Sequence, residues 1–483
     1  MSLCDYLEKV SHNTRVMDKI ALVKAVTGPS VTYRSMFAQA RKLSLTFARN
    51  SVISSVIDNS VENAVIFLAI TAGGSAIAPL NPNLLESEYE FFLKKSPGGL
   101  VVSDKGTAAE RCARRLGIPI FFVSLRSDGS VELTSTNTAI PTVSLPAENE
   151  ALILYTSGTT GTPKCVALTH SNLIASIKNI IAAYQLCPSD ITIAIMPLFH
   201  IHGLMASLFA TLGSGGTVVF PGKFSASNFF QQAQSCTWFS AVPTMLHIIA
   251  STVTQPMPKL RFIRSCSSSL APSLLREIET KFKVQVLEAY AMTEAAHQMT
   301  SNPLGKRKAG TVGIPHGQVE IRIFDGGEVC VRGPNVISAY KGNIAGDHFY
   351  ESADKKLFFR TGDQGYLDED GYLVLTGRLK ELINRGGEKI SPIEVDSAIL
   401  SHPSVSEAVS FGIPDKKYGE TVGAAVVVKS NVSSAEIINF LKTKLSTFKI
   451  PTQIFFVKHM PKTDTGKIQR RKVAEVCLKN SKL

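Results

Sequence analysis

A chain of 483 residues is too long for a single hydrophobic core and predicts two or three structural units. With 44% hydrophobic and 19% charged residues, its composition excludes a disordered or fibrous protein. A net charge of +12 raises nucleic-acid binding as a role, but the densest basic runs, Lys306-Arg307-Lys308 and Arg470-Arg471-Lys472, are short and carry no interleaved aromatics, so the charge reads as a surface that gathers small polyanions.

In chain order, Met1-Ser2-Leu3-Cys4-Asp5 has an early acid and no apolar core, which predicts no secretory signal. The longest apolar window, residues 64–80, is interrupted at Gly73-Gly74 and ends at Pro79, short of the roughly 20 residues a membrane helix needs. It predicts a buried helix running into a strand. From about residue 31 to 300, apolar runs alternate with amphipathic stretches, the pattern of parallel α/β units. The texture changes at Val319, where Glu320-Ile321-Arg322-Ile323-Phe324, Asp325-Gly326-Gly327 and Glu328-Val329-Cys330-Val331 read as a hairpin. A second Gly turn lies within Tyr366-Leu367-Asp368-Glu369-Asp370-Gly371-Tyr372-Leu373, so a small β-barrel-like subdomain is expected over about 319–379. After Lys380 come a strand, a turn at Gly386-Gly387 and a helix from about Pro392, whose proline suits a first helical turn. The expectation is a large α/β unit over 1–379 and a small α+β unit over 380–483. Eight cysteines scattered from Cys4 to Cys477 without a CxxC pair suit a reducing compartment and predict neither a disulfide framework nor a zinc site.

Chemistry concentrates in Tyr155-Thr156-Ser157-Gly158-Thr159-Thr160-Gly161-Thr162-Pro163-Lys164. Glycines let main-chain N–H groups approach phosphate oxygens, hydroxyls add donors and Lys164 adds a mobile positive charge, a combination that points to ATP. The apolar lead-in Ala151-Leu152-Ile153-Leu154-Tyr155 reads as a buried strand feeding this segment. Its spacing is not that of the common phosphate loop, which needs Gly-Lys-Ser/Thr opening a helix.

The decapeptide resembles the phosphate loop of the adenylate-forming superfamily of acyl-CoA synthetases, luciferases and adenylation domains. Matching blocks follow in the same order: Met196-Pro197-Leu198-Phe199-His200, Glu288-Ala289-Tyr290-Ala291-Met292-Thr293-Glu294, Arg360-Thr361-Gly362-Asp363, Thr376-Gly377-Arg378-Leu379-Lys380-Glu381 and Pro461-Lys462-Thr463-Asp464-Thr465-Gly466-Lys467. The resemblance implies an enzyme that activates a carboxylate with ATP and Mg²⁺ and passes it to CoA. It implies nucleotide binding by Thr156, Ser157, Gly158, Thr159, Thr160, Gly161, Lys164, Glu288, Ala289, Tyr290, Thr293, Asp363, Arg378 and Lys467. Lys467 would bridge carboxylate and α-phosphate, Thr293 would donate to the α-phosphate and Glu294 would hold the metal. Lys380 matches the hinge about which relatives rotate their small domain, and rotation would bring Gly386-Gly387 to the site, leaving room for the pantetheine arm of CoA.

For the acid, Arg264-Ser265-Cys266-Ser267-Ser268-Ser269-Leu270-Ala271-Pro272 is hydroxyl-rich where many relatives place Gly and Ala. With His200 and His297 it predicts a polar acid pocket, since hydroxyls left unpaired against an aliphatic chain would cost roughly 1–3 kcal/mol each. These stretches resemble oxalate–CoA ligases of plants and fungi, which implies that Ser267, His200, His297 and Lys467 bind a small dicarboxylate. A 4-coumarate or medium-chain fatty acid ligase is the alternative; hydroxycinnamate ligases tend to carry other residues where this chain has Asn384 and Gly387-Glu388-Lys389. A non-catalytic AMP-binding protein and an RNA-associated protein are the alternatives of another class. Cys165 departs from the family's usual Gly after Pro-Lys, which predicts altered mobility of the ATP loop. The tripeptide Ser481-Lys482-Leu483 matches the peroxisomal address read by an import receptor, with a cytosolic pool as the alternative location.

Overall fold

Strands such as Trp238–Ala241 and Phe262–Cys266 are buried along their whole length, as parallel strands covered on both faces must be. The computed structural model describes the chain except residues 26–27, 137–148, 157–162, 253–256, 258, 343–346, 464–465 and 481–483. Among the described residues, strands form four sheets.

The largest sheet has nine strands. Its parallel centre runs through Ile20–Lys24, Thr217–Phe220, Ile191–Ile193, Trp238–Ala241, Phe262–Cys266 and Gln285–Met292. The antiparallel strand His297–Ser301 then turns back along Gln285–Met292. A seven-stranded sheet is built around parallel Val52–Val56, Ala76–Pro79, Leu100–Val102, Ile120–Leu125 and Glu150–Thr156. Helix Val61–Ala72, apolar on nearly every side, packs against strands of both sheets, the position such a helix requires. Its Phe67 meets Phe209 with ring centroids 4.7 Å apart.

Two smaller sheets follow. One pairs Glu320–Phe324 with Glu328–Arg332 and continues through Leu357–Leu367 and Leu373–Arg378. The other holds the tight hairpin Ile383–Arg385/Glu388–Ile390, the long pair Val405–Asp415/Gly419–Val428 and Gln453–Phe456. Helices Pro392–Leu400 and Ser434–Leu441 cover it over a core of Val395, Ile399, Val422, Val426 and Ile437.

Both expected hairpins are present, and residues 64–80 form a buried helix followed by a buried strand. The parallel core begins earlier than residue 31, at Ile20–Lys24, whose ends are exposed and whose apolar run is therefore too short to stand out. Cys165 is a strand residue: it pairs with Tyr155, accepts a hydrogen bond from Lys341 N at 3.0 Å through its carbonyl, and buries its side chain beside Val52, Ala78 and Ile153. Its side chain therefore fills a sheet face. The segment 157–162 and the address at 481–483 lie outside the described residues.

Between Met196 and Phe209 the chain passes from an irregular turn into a fully buried π-helix, Gly203–Phe209. Gly203 packs so closely on the preceding turn that a Cβ would stand 2.3 Å from Pro197 O and 2.6 Å from Met196 O. Gly203→Ala must displace that turn, and overpacking of this kind costs about 1–3 kcal/mol. A lower urea midpoint with an unchanged denaturant slope is expected; a variant as stable as the parent would show that the turn yields freely.

Candidate active site

The crevice beyond the carboxyl ends of parallel strands is where open α/β sheets bind ligands, and three strands deliver predicted residues there. Phe262–Cys266 leads into Ser267, Gln285–Met292 leads into Thr293 and Glu294, and the segment after Ile191–Ile193 carries His200. Ser267, Ala296 and His297 have φ of 77°, 45° and 92°. Such values are uncommon for residues with a Cβ, and strain of this kind collects at functional sites.

At the acid end, the structure joins the predicted residues through one that the prediction leaves out. His202, fully buried, approaches Ser267 Oγ with Nδ1 at 3.1 Å and Ser240 Oγ with Nε2 at 2.6 Å. Its ring stacks on that of His297 at 4.9 Å, and its main-chain N–H donates to His200 Nδ1 at 3.3 Å. Behind this wall lies Arg264, fully buried in mid-strand, donating to Tyr184 Oη at 2.9 Å, Ser240 Oγ at 3.1 Å and Gln298 Oε1 at 3.3 Å. Burial and then the Arg264 cation hold the His202 and His297 imidazoles well below their ordinary pKa. For His200, burial and then the Lys467 ammonium lower it to about 4. All three rings are neutral near pH 7. Of the serine run only Ser267 turns inward, since Ser268 and Ser269 are exposed.

At the nucleotide end, Asp363 is buried and held on both oxygens, by Tyr290 Oη at 2.5 Å and Arg378 Nε at 2.9 Å. A carboxylate oxygen has a second lone pair, so each can still accept a ribose hydroxyl. Ala289 and Tyr290 are buried on the same strand, and Glu288, whose carboxyl is pushed up to about 7 by burial, precedes them. Thr156 and Lys164 face each other in antiparallel register, whereas Ser157, Gly158, Thr159, Thr160 and Gly161 lie outside the described residues. Tyr340, absent from every motif read in the sequence, links the two ends of this region. Its hydroxyl donates to Glu294 Oε1 at 2.7 Å, and Lys164 Nζ stands 4.6 Å from its ring centroid.

Lys467 comes from the C-terminal unit. Thr463 accepts from Lys467 N at 3.1 Å and Thr244 Oγ1 donates to Gly466 O at 2.9 Å, so the loop is seated on the start of helix Pro243–Thr252. The side chain stands among site groups yet keeps an open path to water. Desolvation, and then the Arg378 cation, lower its pKa. Lys380 lies in the single turn Leu379–Glu381 that follows Arg378, and the next residue, Glu381, pairs with Arg470 at 3.1 Å. Gly386 and Gly387 form the exposed tip of their hairpin, with φ of 61° and 94°, and Gly386 N donates to Tyr418 O at 2.7 Å. This arrangement seats the lysine at the acid and leaves the glycine turn on the surface of its own unit.

A model of AMP-binding enzymes matches residues 10–341, and one of the AMP-binding enzyme C-terminal domain matches residues 394–467. The chain belongs to the AMP-binding enzyme family. Among its relatives are the oxalate–CoA ligase of Saccharomyces cerevisiae, 41% identical over 97% of this chain and 96% of that protein, and the oxalate–CoA ligase of Arabidopsis thaliana, 46% identical over 88% of each. ATP-bound MatB from Rhodopseudomonas palustris shares the fold over 99% of both chains with a TM-score of 0.86 at 28% identity.

In an AMP-binding enzyme two anions must approach each other, and Lys467, Lys164 and Arg378 are the cations of this region that the family resemblance assigns to them. Among the described residues no cluster of three metal-ligating side chains occurs. Mg²⁺ fits here as an ion bound by one carboxylate and phosphate oxygens: Glu294 is the buried carboxylate at this end, oriented by Tyr340, and offers a hard oxygen ligand. The residues missed by sequence reasoning left faint signals. A charge in the middle of a buried strand marks Arg264, and the second histidine of Phe199-His200-Ile201-His202 marks His202.

Three neutral imidazoles, of which His202 and His297 are fully buried, make the fold sensitive to acid. An unfolded histidine takes a proton near pH 6.5 and these folded ones do so only at lower pH, so between those values the unfolded state binds more protons and stability falls as pH falls. Each contributes a slope of up to about 1.4 kcal/mol per pH unit. His297→Gln is expected to flatten the stability profile from pH 6.5 to 5 by about that amount in urea unfolding. An unaltered slope would show that His297 titrates normally.

Proposed function

We propose that this AMP-binding enzyme is an acid–CoA ligase whose acid is oxalate, converting oxalate, ATP and CoA into oxalyl-CoA, AMP and diphosphate. The observation that carries the substrate is the wall of Ser267, His200, His202 and His297 beside Lys467, backed by a buried Arg264 whose partners are all uncharged. A small dianion pairs with such a wall at both ends. An aliphatic or hydroxycinnamoyl body would leave the same polar groups unpaired at roughly 1–3 kcal/mol each. The names of the two oxalate–CoA ligase relatives support the same acid.

In this reading Lys467 acts as the carboxylate oxygen attacks the α-phosphate and diphosphate leaves. The small unit then turns about Lys380, Lys467 withdraws, and the Gly386-Gly387 turn takes its place so that the CoA thiol reaches the carbonyl and AMP departs. Two variants separate the halves. Lys467→Ala should abolish oxalate-dependent diphosphate release while thioester formation from supplied oxalyl-adenylate persists. Lys380→Pro, which fixes φ and removes a donor, should do the reverse. Equal loss of both halves in either variant would contradict the division of labour.

The substrate is tested with a panel of acids. Ser267→Ala combined with His297→Ala should lower kcat/KM on oxalate at least tenfold, each lost charge-assisted hydrogen bond being worth roughly 1.5–3 kcal/mol, with little change in the KM for ATP. A wild type that prefers hexanoate or coumarate would overturn oxalate and leave the ligase chemistry standing.

Ser481-Lys482-Leu483 supports a peroxisomal location through the import receptor for that address. Deleting the three residues should leave purified activity intact and send the protein to the cytosol; continued import would discard the address.

A further inference from the structure

Arg264 is a cation sealed inside the large domain, and among the described residues no acid is its hydrogen-bond partner. It is fully buried, and its partners include a phenol, a serine hydroxyl, an imidazole nitrogen and an amide oxygen, Tyr184 Oη at 2.9 Å, Ser240 Oγ at 3.1 Å, His202 Nε2 at 3.4 Å and Gln298 Oε1 at 3.3 Å, together with the thiol of Cys266. A buried charge left without a counter-charge is expensive, and such groups persist where a function uses them.

We propose that a one-way series of hydrogen bonds from Arg264 through Ser240 and His202 fixes Ser267 as a donor toward the acid substrate, with Arg264 and Ser240 as positioning residues. This rests on the reading of Ser267 as a substrate contact. The direction follows from what each group can do. A guanidinium only donates, so Ser240 Oγ accepts from Arg264 Nη1 and turns its own hydrogen to His202 Nε2, 2.6 Å away. His202 Nε2 faces two donors, that hydroxyl and the guanidinium itself, and therefore carries no proton. Burial and the same guanidinium also exclude the imidazolium.

The one proton of His202 is thus on Nδ1, where it is given to Ser267 Oγ at 3.1 Å. An oxygen that already accepts from His202 has its own hydrogen to give, and the left-handed backbone at Ser267, φ 77°, fixes where that hydroxyl stands. Every link is oriented by the cation at its start, and chains of this sort polarise along their length. The wall thereby offers a carboxylate a donor whose direction was set before the substrate arrived. His297, stacked on His202, adds a ring whose Nε2 is buried without a hydrogen-bond partner among the described residues.

The tautomer can be read without substrate. In ¹⁵N-histidine-labelled protein, with the His202 signals assigned by their loss in His202→Gln, we expect a protonated Nδ1 and an unprotonated Nε2. An Nε2-protonated ring or an imidazolium would overturn the proposal. Kinetics give a second reading: Ser240→Ala should raise the KM for oxalate about tenfold while kcat and the KM for ATP stay close to wild type, and Ser240→Thr, which keeps the hydroxyl, should restore the KM. An unchanged KM in Ser240→Ala, or a Ser240→Thr enzyme as impaired as the alanine variant, would reject the relay. Should wild type fail to adenylate oxalate, the substrate reading falls and the tautomer measurement still decides the hydrogen-bond direction.

Discussion

Activating an acid with ATP forces a carboxylate against a polyphosphate, and the repulsion between them is the constraint around which this molecule is arranged. The three cations proposed for the meeting point come from parts that the chain keeps apart in sequence: Lys164 at the start of an antiparallel strand, Arg378 at the end of the small β-sheet, and Lys467 on a loop of the C-terminal unit. Their mutual repulsion is eased by acids placed among them. Burial is the largest influence and lowers the pKa of both lysines; for Lys164, Glu294 then raises it and Lys380 lowers it, and for Lys467, Arg378 lowers it against Asp363 and Glu381. The acids offset only part of the cost, so both lysines stay below their ordinary pKa.

The histidine wall solves the same difficulty by other means. Neutral rings can stand next to a buried guanidinium without repelling it, and they carry its influence forward as dipoles, not as further charges. Placing the cation one layer behind the surface keeps it from pairing with solvent ions. The π-helix Gly203–Phe209 follows directly on His200 and His202, and the turn before it is closed tightly over Gly203.

Much of this is legible in the sequence, for reasons that differ between elements. Hairpins with Gly turns announce themselves locally, as at Asp325-Gly326-Gly327 and Gly386-Gly387, because left-handed φ asks for glycine wherever the chain reverses tightly. The buried helix Val61–Ala72 is visible because a segment apolar on all sides has only the interior as a home. Ser267, His200 and His297 come from motif resemblance, and the structure brings them together. His202, Ser240, Arg264 and Tyr340 stay hidden because their importance lies in contacts between distant segments: Ser240 and Arg264 are adjacent only by strand pairing, and Tyr340 meets Glu294 across the turn that ends another strand. A single sequence contains those residues but not their adjacency.

The lysine proposed to act in catalysis, Lys467, is carried on a short loop. Its loop rests on the large unit through Thr244 and the Gly466 carbonyl, and even a methyl group at Gly466 would press within 2.7 Å of the Thr244 hydroxyl. One neutral hydrogen bond contributes about 0.5–1.5 kcal/mol, which is small against the work of a domain rotation and large enough to bias where the loop rests. If the small unit turns about Lys380 as proposed, this contact must part on each turnover, together with others such as Ser273 Oγ to Leu400 O at 3.4 Å. Gly466 is one place where the ease of that parting is set.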